Sequence, residues 1–277
     1  MIRDITIGQH FPGNSVVHRM DPRLKILATI GYVVVLFIGS NPLGLALSTV
    51  FVFSFYAISK IPVKVILKSL KPILPIIAFT GIINLFFVSG TPIFEWWIFK
   101  ITKEGVYFAC VMIVRIICLI SGTSLLTYTT SPIVLTDAIE RLLSPFAKIK
   151  LPVHELAMMM TIALRFIPTL IEETDKIMNA QKARGATLDS GSLKNKVKAL
   201  VPVLIPLFIS AFRRADELAM AMECRCYHGG EGRTRLKQLK FKPLDFAAVI
   251  FCALLFTLIA LSGKIYDVLL PLIASIF

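Results

Sequence analysis

Five stretches of this chain, residues 24–40, 43–58, 72–88, 106–128 and 243–261, are apolar almost throughout. Inside a bilayer every backbone polar group must be satisfied within the protein. Runs of roughly 17–25 apolar residues therefore read as membrane-spanning helices. This predicts an all-α integral membrane protein with about five transmembrane helices. Composition agrees, with 56% hydrophobic residues and a formal net charge of +13 from 30 Lys+Arg against 17 Asp+Glu. The basic residues stand between the apolar runs, as cytoplasmic membrane loops do, and no nucleic-acid recognition motif accompanies them. The lipid bilayer is thus a partner and nucleic acid is not.

Taken in order, residues 1–23 are polar, and no apolar core long enough for a signal peptide precedes residue 24. Asp21 as N-cap and Pro22 as first helical residue start the first span. The basic residues beside them are expected at the cytoplasmic headgroups. Lys60, Lys64, Lys68 and Lys71 make a basic amphipathic segment on the inner membrane surface. Residues 89–105 form a loop whose Trp96 and Trp97 suit the outer interface. The basic loops place the N-terminus inside, and after four spans the chain is inside again. A short amphipathic helix, 133–143, precedes a long helical pattern over 152–184, kinked at Pro168. In it Glu172 and Lys176 are spaced for an i, i+4 ion pair. Residues 197–212 are apolar but carry Lys198, Pro202 and Pro206, which suits a surface or re-entrant position. Residues 266–277 either extend the last helix or turn back. Arg115 is a charge deep in a span. Such a residue serves a transport path or pairs with a neighbouring helix. The five cysteines fit no disulfide framework and are expected as free thiols.

One further pattern organises the chain. Arg184 and Arg225 each end a helical run between small residues, 41 positions apart. At that offset Leu164 matches Ile205, Ile171 matches Phe212, Ile177 matches Leu218 and Ala180 matches Ala221. This is a repeat of two helical units. Leu170, Thr174, Ile177, Gln181 and Arg184 share one helical face, as do Ala211, Ala215, Leu218, Met222 and Arg225. A cation at a helix C-terminus complements the macrodipole, and Gly185 is the usual cap, so one such end is read as structural. Two at matched positions point to docking. The planar fork of arginine suits engagement of a carboxylate or several carbonyls. Ala183, Gly185, Cys224 and Cys226 would let a partner backbone approach. Cys224, Cys226 and His228 could begin a metal site but lack a fourth ligand at usual spacing. The methionines (Met158, Met159, Met160, Met178, Met220 and Met222) fill a core or adapt to a partner. No P-loop, triad or chain of intramembrane acids is present.

Four segments in this order carry a resemblance: His18-Arg19-Met20-Asp21-Pro22-Arg23, Arg165-Phe166-Ile167-Pro168, Gln181-Lys182-Ala183-Arg184-Gly185-Ala186, and Arg213 to Ala219 leading to Cys224-Arg225-Cys226. The chain resembles the transmembrane T components of energy-coupling factor (ECF) transporters, within the cobalt-transport permeases. Its second motif reads Cys-Arg-Cys where the family often has Ala-Arg-Gly. The resemblance implies a non-catalytic subunit of an ATP-driven importer of vitamins or metal ions. It implies a transmembrane region over 1–151, a cytoplasmic coupling domain with two long helices over 152–242, and a C-terminal transmembrane segment over 243–277. Ala183, Arg184 and Gly185 would dock on one ABC-type ATPase subunit, and Cys224, Arg225 and Cys226 on another. Ile177, Met178, Leu218 and Met222 would touch a substrate-binding S component, as would the helix around Lys60–Lys71. The chain itself would hold no metal or other cofactor, ATP and Mg being bound by the ATPases. The alternatives are an integral-membrane metal-dependent enzyme using Cys224, Cys226 and His228, or a self-sufficient permease with a path through Arg115.

Overall fold

The computed structural model describes residues 10–39, 41–96, 99–149, 152–186, 193–229 and 241–274. They form ten α-helices and one short hairpin: α1 Val16–Arg19, α2 Pro22–Ile38, α3 Pro42–Ser59, α4 Val63–Leu70, α5 Leu74–Phe87, β1 Pro92–Trp96, β2 Phe99–Thr102, α6 Lys103–Thr129, α7 Pro132–Leu143, α8 Val153–Ala183, α9 Leu193–Glu223 and α10 Pro243–Ala274. Five helical runs are long and apolar enough to cross a membrane: Pro42–Ser59, Val63–Phe87, Lys103–Thr129, Val153–Ala183 and Pro243–Gly263. Their number agrees with the expectation and their membership does not. Helix α2, expected as the first span, has 17 residues and stands at the lower limit. Helix α8, in the expected coupling domain, whose apolar half over 156–171 could lie in or out of the bilayer, qualifies by length and composition. Helix α10 runs straight through residue 263 to Ala274, which decides the question about 266–277 for the described part. The loop at 89–105 contains the antiparallel β1–β2 hairpin, with Phe94 opposite Ile101 and Trp96 opposite Phe99. Trp97 lies outside the described residues.

The chain divides into two compact units, one of residues 9–131 with 239–277, the other of 1–8 with 132–238. In the first, α2, α3 and α6 pack together around Tyr32, Leu36, Val52, Tyr56, Cys118 and Tyr128. Buried phenols need acceptors. The Tyr56 hydroxyl donates to the Ser121 carbonyl at 2.8 Å. A side chain on Gly122 would come within 2.5 Å of the Tyr32 ring, so α2 and α6 meet there only across glycine.

Within the His18–Lys25 segment Asp21 and Lys25 are buried in a polar clamp of this unit, whereas Arg19 is exposed. Asp21 caps α2 through the Arg23 N–H at 2.8 Å and pairs with the Arg23 guanidinium at 2.7 Å. That guanidinium lies 4.1 Å over the Phe241 ring. Asp245, at the start of α10, accepts from the Asp21 N–H at 2.9 Å and the Lys242 N–H at 2.7 Å. Lys25 is only 7% exposed and donates to the carbonyls of His18 and Thr129 and to Thr130 Oγ1. All three ammonium protons are used, so Lys25 belongs to the fold and not to the lipid surface. One buried carboxylate thereby ties the last helix to the entry of α2.

In the second unit α7 packs on α8, and α8 on α9. His154 Nδ1 lies 3.0 Å from Glu140 Oε1 between α7 and α8.

Candidate functional site

Arg184 and Arg225 close α8 and α9, and the two helices end alike. On α8 the Gly185 N–H bonds to the Lys182 carbonyl and the Ala186 N–H to the Gln181 carbonyl, both at 3.0 Å. On α9 the Cys226 N–H bonds to the Glu223 carbonyl at 2.8 Å and the Tyr227 N–H to the Met222 carbonyl at 3.1 Å. This pair of bonds is the Schellman cap. Every group in it maps from one helix to the other at the 41-residue offset. The cap requires a left-handed residue just past the helix. Gly185 supplies it with φ +89°, and Cys226 with φ +55°. Each arginine thereby stands just past its helix, after Ala183 of α8 and Glu223 of α9, beside the carbonyls that carry the negative end of the macrodipole.

Ala183, Arg184, Gly185, Cys224, Arg225 and Cys226 are all exposed. Among the described residues neither arginine has an ion-pair partner. Lys182 and Glu223, also exposed, hold matched positions with opposite charge. Ile177, Met178, Leu218 and Met222 are half-buried. On α9 the residues Val201, Leu204, Ile205, Phe208, Ile209 and Phe212, each 45–67% exposed, recur at helical spacing as one apolar stripe.

Two contacts set the helices against each other. Arg214 donates to Glu173 at 3.0 Å. These residues are themselves 41 apart, so the repeat meets itself at this point. Gln181 Nε2 donates to the Pro202 carbonyl at 3.3 Å. That carbonyl is free because Pro206, four residues on, has no N–H to give it. Moving forward eight residues on α8 means moving back twelve on α9, so the helices cross in opposite directions. Each arginine stands 11 residues beyond the Glu173–Arg214 contact, or about 16 Å at 1.5 Å per residue. The two tips therefore point to opposite ends of the pair, roughly 30 Å apart.

The ion pair expected between Glu172 and Lys176 is not formed among the described residues, where both are exposed. Glu173 reaches across to Arg214 instead, because adjacent helical residues point about 100° apart. The 41-residue offset already carried the signal, since it relates the two partners. Cys224 and Cys226 are free and exposed. Among the described residues no three His, Cys, Asp or Glu side chains come together to hold a metal. Nothing in the structure favours the metal-dependent enzyme. Arg115 is half-buried in α6, and its Nε has no acceptor among the described residues.

Residues 13–236 match the family model described as cobalt transport protein, CbiQ, a stretch that includes both arginine-capped helices. An "Energy-coupling factor transporter transmembrane protein EcfT" of Ruminiclostridium cellulolyticum is 59% identical over 245 residues, covering 88% of this chain and 92% of that protein. Proteins of the same name from Clostridium kluyveri and Bacillus subtilis are 54% and 46% identical. They cover 96% and 93% of this chain, and 99% of each relative. The chain belongs to this family of ECF-transporter transmembrane proteins.

Proposed function

We propose that the chain is the membrane scaffold and energy-coupling subunit of an ATP-driven ECF importer. The observation that carries this reading is the identical capping of α8 and α9, which presents two exposed arginines at opposite ends of one crossed pair. Arg184, with Ala183 and Gly185, docks on one ABC-type ATPase subunit. Arg225, with Cys224 and Cys226, docks on a second. An arginine at a helix C-terminus carries its charge on a flexible, five-donor fork, and a groove lined by carboxylates or carbonyls would recognise it. Ile177, Met178, Leu218 and Met222 face an S component that binds a vitamin or metal ion. ATP and Mg reside in the ATPases, and this chain performs no chemistry. The functional division is a transmembrane region over 1–151, the coupling domain over 152–242 and the last span from 243. The N-terminus faces the cytoplasm and the protein lies in the cell membrane.

The test replaces Arg184 and Arg225 by glutamate, singly and together. Each single variant is expected to lose one ATPase contact, and the double variant to copurify with no ATPase while still inserting. Full uptake of substrate by cells carrying the double variant would overturn the reading.

A further inference from the structure

Helix α3 ends at Ser59 and α4 begins at Val63, and the bend between them encloses a groove of about 510 Å³. Its walls are Phe53, Ala57, Ile66, Leu67 and Leu70, with Lys60 at the turn. Tyr56 also lines it, but its one O–H donor is already given to the Ser121 carbonyl, which leaves it no proton for a ligand. Phe53 and Leu67 are 48% and 61% exposed. The groove therefore offers an open apolar trough and one cation, and no array of hydrogen-bonding groups that would orient a peptide.

Charge in this region has no local answer. The sequence contains no Asp or Glu between Asp21 and Glu95. Lys60, Lys64, Lys68 and Lys71 are exposed, and among the described residues none has an ion-pair partner. Helix α3 is long and apolar enough to span, which would put its end at Ser59 where hydrocarbon meets headgroup. Four lysines on an amphipathic segment at that depth form a field for anionic lipid.

We propose that this groove holds one anionic phospholipid. An acyl chain lies along Phe53, Ala57, Leu67 and Leu70. The phosphate sits against Lys60, inside the positive field of Lys64, Lys68 and Lys71. This assignment does not depend on the coupling role of the arginines and can fail without affecting it.

The experiment compares the purified full chain in nanodiscs of phosphatidylcholine with those doped with phosphatidylglycerol, and counts retained lipid by native mass spectrometry after detergent extraction. One phosphatidylglycerol per chain should survive. Lys60→Ala should weaken retention about fivefold, the usual share of one lysine. Ala57→Trp, which fills the trough, and Leu67→Ser, a change at an exposed position that should not disturb folding, should both release the lipid with all four lysines intact. If Lys60→Ala lowers retention but both groove variants leave it unchanged, the lysines act as a diffuse field and the site is refuted. Equal retention of phosphatidylcholine would refute it as well. Loss of the lipid on assembly with partner subunits would instead make the groove a protein contact and overturn the proposal.

Discussion

The two caps place different residue types at the left-handed position, and that difference predicts opposite responses to substitution. Gly185 and Cys226 both sit in the left-handed region. For a residue with a Cβ this conformation costs about 1–2 kcal/mol, whereas glycine adopts it freely. Gly185→Ala introduces that strain. No atom lies within 4 Å of the added Cβ, so the effect is one of backbone alone. Part of the loss is returned because alanine restricts the unfolded chain, by about 0.4–1 kcal/mol. The net expectation is about 1 kcal/mol against the α8 cap, and a similar gain at the α9 cap from Cys226→Gly. One kcal/mol is about a fivefold change in local opening. Hydrogen exchange read on peptides covering 181–186 and 222–227 would see it. Amides of the first should exchange about five times faster in Gly185→Ala, and those of the second about five times slower in Cys226→Gly. Faster exchange at the α9 end of Cys226→Gly would refute the argument, since the thiol would then be stabilising the cap by a contact of its own.

Two other outcomes follow from contacts elsewhere. The Glu173–Arg214 pair is part-exposed and contributes on the order of 0.2–1 kcal/mol, but Glu173→Arg sets two cations against each other at the crossing. Uptake by the assembled transporter should fall up to about fivefold in Glu173→Arg and recover in Glu173→Arg with Arg214→Glu; no recovery would mean the pair does not fix the crossing. Acid should loosen the N-terminal clamp in two stages. Burial, with the nearby Lys25 charge, depresses the His18 pKa below the ordinary value, despite its bond to the Phe11 carbonyl. The unfolded chain therefore takes up that proton first, and the stability His18 gives is lost as pH falls below about 6.5. Burial alone would raise the Asp21 carboxyl, but hydrogen bonds and charge from Arg23 bring it below the usual carboxylate range. Its share is present above about pH 4 and disappears on further acidification. Proteolysis within residues 10–20 should accelerate in that order, and protection that rises on acidification would contradict both signs.

What could be read beforehand was what local chemistry decides. An apolar run has one stable form in lipid, so α3, α6 and the start of α10 stand close to where hydropathy put them. Gly185 announces its own cap. The features that escaped depend on partners distant in sequence. Lys25 looked like a headgroup contact because its acceptor, the Thr129 carbonyl, lies 104 residues away. Asp245 drew no notice, although it binds two backbone N–H groups, because an acid in the first turn of a helix is ordinary. Cysteine is no signal for a left-handed residue, so the second cap became legible only through its likeness to the first. Pro202 and Pro206 suggested a surface or re-entrant position for 197–212, and both lie inside α9. The helix persists through residue 223, and the Gln181 amide meets the carbonyl that Pro206 leaves unpaired.

The crossed geometry gives the coupling proposal a mechanical basis that two arginines alone would not. Were the helices parallel, both tips would lie at one end, and forces applied there would only slide the pair. Running in opposite directions from a shared contact, they form two arms of equal length, 11 residues each, with Glu173 and Arg214 at the pivot. Two ATPase subunits that approach one another would push the arms at opposite ends, and such a load turns one helix across the other. The apolar stripe from Val201 to Phe212 lies on the far side of the pivot from Arg225, so under the proposed docking it would swing against the tip that drives it. On that proposal a small closure at the arginines would become a displacement of an exposed apolar surface, the form in which work can be handed to a membrane-embedded partner.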